Sequence, residues 1–198
     1  MDSAAWKRIV GPLLDDDWAL KGKVVYLRPV GWVLHGVLWE PSASRPGFYL
    51  WRLQMPLYQP VTVIDLSWSE RHGGGSRVYD PTDALTRAAV AEAMVMVRAD
   101  YDKAAVVIDL PGGVDNVGIM EVRAYGLLLE GNHVGAAEIL DRVSRYEAKY
   151  PWQEQMVRRA ESMWSMIQGS YGREALQQLA EWRAESLAIL EIDTESRA

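Results

Sequence analysis

The chain of 198 residues contains no cysteine, a single phenylalanine and only three histidines. The lack of cysteine excludes disulfides, thiolate metal sites and cysteine nucleophiles, and it fits a reducing cytoplasm. No run of about 18 apolar residues occurs, and the N-terminal apolar segment is too short and interrupted for a secretory signal. These observations predict a cytoplasmic protein.

Positive charge is also scarce, since the formal net charge is −6. A nucleic-acid-binding surface must be basic to replace the counterions on phosphates, and the basic residues here are scattered. Nucleic acid and anionic membrane are therefore poor partners. The preference for arginine over lysine, with abundant alanine, valine and tryptophan, indicates a bacterial genome rich in GC.

Hydrophobic residues make up 49% of the chain, enough for one domain or two small subdomains. Apolar residues from Trp6 to Trp18 recur at steps of three and four, which predicts an N-terminal helix as far as Leu20. Pro12 offers a second possible start for this helix, because proline is tolerated in a first helical turn.

Four segments with turn residues between them predict four β-strands: "KVVYLR", "WVLHGVLWE", "FYLWRLQM" and "VTVIDLSWS". The connections are too short for parallel crossovers, so the strands should form an antiparallel meander. The second strand is apolar on both faces, so both faces should be covered.

Helices are predicted from Asp80 onward, with Asp80 as N-cap, Pro81 in the first turn and an end near Asp100. Residues 104–109 fit a strand or a helix, and helix is favoured. The fold class expected is α+β: an N-terminal helix, a four-stranded antiparallel sheet and a C-terminal bundle of helical hairpins. Residues 1–76 would form the first part and residues 77–198 the helical part, packed together as one globular unit.

Two segments carry resemblances to known proteins. "AYGLLLEGNHVGAAEIL" has small residues at Ala124, Gly131 and Ala136, and the C-terminal third resembles tetratricopeptide hairpins, although their leading tryptophan is absent. "YLRPVGWVLHGVLWE" followed by "FYLWRLQMPLYQP" resembles a set of uncharacterised bacterial proteins. This second resemblance implies a shared sheet with a helical extension and no known activity.

The segment "RHGGGSRVYDP" has two interpretations. Three glycines after His72 resemble an oxyanion loop of some α/β-hydrolases, but no G-x-S-x-G elbow accompanies them. Phosphate-binding glycine patterns are absent as well. A connector between sheet and helices is therefore favoured, with His72 as a residual site candidate if the junction forms a cleft.

No metal site or cofactor is predicted. The three histidines His35, His72 and His133 are far apart and lack an acid at ligand spacing. The acidic triplet Asp15 to Asp17 lacks the other ligands and the glycine of a calcium loop. We therefore assign no catalytic residue and no metal ligand from the sequence.

A polar group on the sheet is the best candidate site. Arg52 and Gln54 would lie near Asp65 and Ser67 if the third and fourth strands form a hairpin. Such a group is a structural ion pair or the floor of a ligand cleft, and the structural role is favoured. The candidate cleft residues are Arg52, Asp65, His35, His72, Trp51 and Trp68.

The helices offer a second surface. Met156, Met163, Trp164 and Met166 cluster at helical spacing, which favours core packing first and an interface second. Two functions follow from these patterns. The first is a non-enzymatic cytosolic accessory protein, of an adaptor or immunity type, that binds a protein partner or itself. The alternative is an enzyme or small-ligand binder with a polar cleft at the junction of sheet and helices.

Overall fold

The computed structural model describes residues 2–43, 46–75, 77–101 and 116–194. It has the expected α+β class: an N-terminal helix, an antiparallel sheet and a series of C-terminal helices. The helices are α1 Ser3–Val10, α2 Ala84–Tyr101, α3 Val117–Leu129, α4 His133–Ser144, α5 Pro151–Ser170 and α6 Arg173–Leu190. The strands are β1 Trp18–Lys21, β2 Val24–Leu27, β3 Val33–Pro41, β4 Phe48–Pro56 and β5 Glu70–Arg71.

The chain divides into two compact units. The sheet unit comprises residues 1–55, 62–105 and 187–198, and the helical unit comprises residues 56–61 and 106–186. Helix α2, which the sequence placed with the helical part, belongs to the sheet unit. Residues 104–109, expected to be helical, lie outside the described residues.

The sheet has five strands in the order β1 to β5, so the prediction of four strands was wrong. The added strand β1 pairs with β2 through the antiparallel register Trp18↔Leu27 to Lys21↔Val24. Gly22 opens the two-residue turn between them with φ +56°, a conformation that glycine adopts without cost. The helix predicted as far as Leu20 instead ends at Val10, followed by a 3₁₀ turn that contains Pro12. Proline has no N–H to continue the helical ladder.

The fourth predicted strand is also wrong, because residues 61–69 contain no strand. Asp65 accepts hydrogen bonds from the Ser67 backbone N–H at 2.9 Å and from its hydroxyl at 2.7 Å. Such local bonds give the backbone an alternative to a sheet ladder. The chain rejoins the sheet only at β5, where Arg52 pairs with Glu70 and Trp51 with Arg71.

The core of the sheet unit lies between one sheet face and the helices α1 and α2. The indole of Trp6 on α1 meets the Phe48 ring edge-on, with centroids 6.5 Å apart. Val90, Ala93 and Val97 of α2 are buried in the same cluster. Because side chains alternate along a strand, His35 lies on the same face of β3 as Val37, toward α2.

Helix α2 starts later than predicted. Asp80 forms a turn instead of the N-cap, since its carboxylate accepts from the Thr82 backbone N–H at 2.8 Å. Asp83 then accepts from the Leu85 backbone N–H at the true start of the helix. The described part of α2 reaches Tyr101, which agrees with a helix predicted to run to about Asp100.

The helical unit contains α3, α4, α5 and α6 as far as Ser186, and α4 packs against both α3 and α5. Asn116 and Asn132 cap α3 and α4 with their side-chain oxygens. Helices α3 and α5 are joined by a buried ion pair, in which the Arg159 guanidinium donates two hydrogen bonds to Glu121 at 2.8 and 2.9 Å. Tyr125 donates a third hydrogen bond to the same carboxylate at 3.0 Å.

Candidate functional site

A polar cleft of about 410 Å³ opens in the sheet unit beside the last turn of α2. Strands β3, β4 and β5, the segment before β5 and α2 all contribute to its lining. The lining residues are His35, Arg52, Leu53, Gln54, Trp68, Glu70, Val97 and Asp100. Its size falls within the range of about 300–1,000 Å³ usual for small-molecule sites.

Arg52 forms ion pairs with both acidic residues of the cleft lining. Its guanidinium pairs with Glu70 on the neighbouring strand and with Asp100 on α2, the latter at 3.3 Å between Nη1 and Oδ2. The Arg52 side chain is 18% exposed, whereas both carboxylates are largely exposed at the mouth. The described lining therefore holds one guanidinium and two carboxylates, and it carries a net negative charge.

His35 lines the cleft, and its imidazole ring is neutral at pH 7. The residue is 3% exposed, and its ring meets Tyr101 edge-on with centroids 5.6 Å apart. Burial lowers the pKa of His35 from 6.5 to about 4, although the Asp100 carboxylate opposes the shift. At neutral pH this ring offers one N–H donor and one acceptor nitrogen without adding positive charge.

Two N–H groups of the cleft residues are buried without a hydrogen-bond partner among the described residues. They are Nε1 of Trp68 and Nε of Arg52. An unsatisfied buried donor costs about 1–3 kcal/mol, so native proteins rarely leave one without a reason. Both nitrogens have almost no solvent-accessible surface, so they are shielded by the packed side chains around the cleft.

The structure brings only part of the predicted site together. His35, Arg52 and Trp68 line the cleft, but Asp65 lies in the turn described above and is not among the lining residues. The partners of Arg52 are Glu70 and Asp100, which were not predicted. The register Arg52↔Glu70 could have identified Glu70 only once β5 was placed correctly.

Trp51 belongs to the opposite face of β4, as alternation from Arg52 requires. Its indole Nε1 donates to Glu40 at 3.0 Å, and the Arg71 guanidinium lies 4.7 Å from its ring centroid. Arg71 also covers the Tyr49 ring at 3.9 Å. Trp51 thus takes part in a cation–π cluster that stabilises this face of the sheet.

His72 is buried at the sheet edge, so the glycine segment is more than a loose connector. Its backbone N–H donates to Leu50 at 2.8 Å, and its ring stacks on Tyr79. The imidazole Nε2 lies 3.6 Å from the Glu92 carboxylate, yet burial is the larger influence and lowers the His72 pKa. His72 is not among the lining residues of the cleft.

The helical unit carries a second site, an apolar groove between α4 and α5 with a volume of about 510 Å³. We define the groove by its lining residues. They are His133, Val134, Ala137, Glu138, Asp141, Trp164, Ile167, Gln168 and Tyr171. Of the methionine and tryptophan cluster noted in the sequence, Met163 is buried core and Trp164 is a groove residue.

Two apolar side chains of the groove are strongly exposed. Val134 is 72% exposed and Tyr171 is 92% exposed. Tyr171 also ends α5 in the left-handed region, at φ 52° and ψ 38°. This backbone costs about 1–2 kcal/mol for a residue with a side chain. Sequence reasoning missed Tyr171, although an aromatic residue directly before the turn glycine Gly172 was a visible signal.

No protein-family model, no curated protein and no solved structure matches the chain. Within the described residues, no group of three or more histidine, aspartate or glutamate side chains lies close enough to hold a metal ion. No helix in the described part of the chain is long and apolar enough to cross a membrane.

Proposed function

We propose that this chain is a non-enzymatic, cytosolic accessory protein whose helical unit binds an amphipathic, basic helix of a partner protein in the α4–α5 groove. The observation that carries the proposal is the groove itself, with its exposed Val134 and Tyr171. A chain without cysteine suits the reducing compartment assumed here.

The lining chemistry favours an apolar helix face as the occupant. Val134, Ala137, Trp164 and Ile167 present aliphatic and aromatic surface along two adjacent helices. Grooves between helices commonly bind a third amphipathic helix through anchors spaced at i, i+3, i+4 and i+7. Apolar surface rimmed by polar residues is typical of such interaction sites.

The rim chemistry favours basic residues on that helix. Glu138 and Asp141 lie on α4 among the groove residues, and the whole chain has a net charge of −6. Asp141 already pairs with Arg145 at 2.7 Å, so Glu138 is the stronger attraction for a lysine or arginine of the partner. Charge of this kind contributes to specificity and association rate.

The strain at Tyr171 supports a functional role for this residue. Its left-handed backbone is costly, while a side chain that is 92% exposed recovers little by burial. Strained residues persist where the surrounding structure imposes them, and they are concentrated at functional sites. Binding of a partner would bury the ring and offset that cost.

The test uses two labelled helical peptides of about 18 residues with identical leucine spacing, one with lysine and one with glutamate on the polar face. We expect fluorescence anisotropy to show saturable binding of the lysine peptide and much weaker binding of the glutamate peptide. Val134→Glu should weaken binding about tenfold or more, since it places a charge in the apolar groove.

Leu85→Glu is the matched control, because Leu85 is exposed to the same degree on α2 of the sheet unit. It adds the same charge and should leave binding unchanged. Equal binding of both peptides, or equal loss in both variants, contradicts the proposal. A concentration-dependent dimer that Val134→Glu abolishes in sedimentation velocity would show that a second copy occupies the groove, and it would also overturn the proposal.

A further inference from the structure

The α4–α5 groove differs in charge along its length. Its lining residues lie within about two turns of each helix, or about 10 Å. We propose that the partner helix carries its basic residues in its last turn, places that turn beside Glu138 and Asp141, and runs parallel to α4. This inference rests on the proposed function and specifies the partner further.

Helices α4 and α5 run in opposite directions along the groove. A Cβ on Gly172 would overlap the side chain of His133, so the turn after α5 lies against the start of α4. Tyr171 therefore lies at the end of the groove where α4 begins. Seven residues earlier on α5, Trp164 lies at the other end, together with Asp141 of α4.

The acidic residues lie toward this second end, which we call the acidic end. Both carboxylates of the lining, Glu138 and Asp141, belong to the half of the groove nearer Trp164. Glu161 is exposed on α5 three residues before Trp164, so it extends the same helix face beyond the groove. Arg145 pairs with Asp141 and offsets one of these three charges. Basic residues of a partner helix would therefore find complementary charge at the acidic end.

The direction of the partner helix follows from its own dipole. Lysine and arginine stabilise a helix when they lie in its last turn, where the backbone carbonyls carry partial negative charge. The dipoles of α4 and α5 point in opposite directions beside the groove, so together they favour neither direction. A partner helix with its basic last turn at the acidic end runs parallel to α4 and antiparallel to α5. The length of the groove suits apolar anchors at i, i+3 or i+4, and i+7.

The test uses a helical peptide of about 18 residues with leucines at its centre and lysines only in its last turn. A nitroxide is attached through an added cysteine at either end of the peptide, while the protein itself contains no cysteine. A helix of this length spans about 27 Å, so its two ends lie at different distances from Trp164. The readout is the paramagnetic broadening of the Trp164 indole resonance, assigned with Trp164→Phe. We expect the C-terminal nitroxide to broaden this signal far more than the N-terminal one.

The outcomes separate this inference from the proposed function. If the peptide binds but both nitroxides broaden the Trp164 signal equally, or the N-terminal one broadens it more, the proposed direction is wrong and the groove remains the partner site. If the peptide does not bind, both the proposed function and this inference are overturned.

A charge variant tests the acidic end directly. Glu138→Gln/Glu161→Gln should weaken binding of this peptide about fivefold at low salt, because it removes two carboxylates that face the basic turn. The matched control Glu174→Gln/Glu185→Gln removes the same charge from exposed positions of α6, outside the groove lining, and should leave binding unchanged. Equal losses in the two variants, or no loss in the first, would contradict the placement of the basic turn.

Discussion

Glu121 shows how the helical unit accommodates a fully buried charge. Its carboxylate accepts two hydrogen bonds from Arg159 and one from Tyr125. Burial, and after it the Glu121 carboxylate, raises the pKa of the Tyr125 phenol well above its usual value of 10, so Tyr125 stays a donor. Such a network is costly to break and less costly to replace as a whole.

Glu121→Leu should lower the free energy of unfolding by about 3 kcal/mol, because it leaves the partly buried Arg159 without a counter-charge. The triple variant Glu121→Leu/Arg159→Leu/Tyr125→Phe should recover most of that loss, since no unpaired polar group remains. Urea denaturation measures both. If the free energy of unfolding of Glu121→Leu equals that of wild type within error, the ion pair does not stabilise the fold.

His35 should make stability depend on pH. Its folded-state pKa of about 4 lies below the unfolded value of 6.5, so the unfolded chain binds the proton more readily. The contribution of the neutral His35 ring to the free energy of unfolding is therefore complete above pH 6.5. It is lost as pH falls from 6.5 to about 4. A shift of this size corresponds to about 3 kcal/mol.

The measurement is the free energy of unfolding of wild type and His35→Leu across this pH window. Wild type should lose about 3 kcal/mol more than the variant, which has no titrating ring. The carboxylates titrate in both proteins and cancel in the comparison. Parallel pH profiles would show that the ring is hydrated in the folded state.

At the scale of the elements, the end of α5 shows a conflict between stability and the proposed binding. Tyr171 has φ 52° and Gly172 has φ +82°. A Cβ on Gly172 would lie 2.3 Å from Nδ1 of the His133 side chain, so both the space and the positive φ favour glycine at this position. The turn is thus imposed by packing, and Tyr171 has to accept its backbone.

Tyr171→Gly should raise the free energy of unfolding by up to about 1 kcal/mol, because glycine adopts the left-handed region without strain. The same variant should weaken binding of the lysine peptide, because it removes an exposed ring from the groove. Thermal denaturation and anisotropy measure the two effects. A variant that is destabilised and binds normally would remove Tyr171 from the proposed interface.

Helices were easier to predict than strands for a physical reason. Periodic apolar residues over 12 to 20 positions identified α3 to α6, whereas β1 has four residues and follows a helix-like apolar pattern. The signal for β1 was the glycine turn at Gly22 between two apolar segments. Residues 61–69 have strand-like composition, but Asp65 bonds locally to Ser67.

The sites were predictable only in part. His35, Arg52 and Trp68 are polar or amphipathic residues in or near apolar strands, which marked them as candidates. Glu70 depends on the register of β5, which periodicity does not set accurately, and the pairing of Asp100 with Arg52 depends on how α2 packs on the sheet. The groove depends on which helix faces stay uncovered, and this is a property of tertiary packing.

At the scale of the whole molecule, the two units carry sites of opposite chemistry. The sheet unit has a polar cleft with a net negative lining, and the helical unit has an apolar groove with an acidic rim. Trp68 lies in the first site and Trp164 in the second. Each site therefore has its own tryptophan, whose indole signal can report on occupancy.

The most direct test of the proposed function is a ¹⁵N–¹H spectrum of the nine indole groups during titration with the lysine peptide. Trp164→Phe and Trp68→Phe assign the two resonances. We expect the Trp164 signal to shift in a saturable way while the Trp68 signal stays in place. A Trp164 signal that does not move while the peptide binds would contradict the assignment of the groove as the partner site.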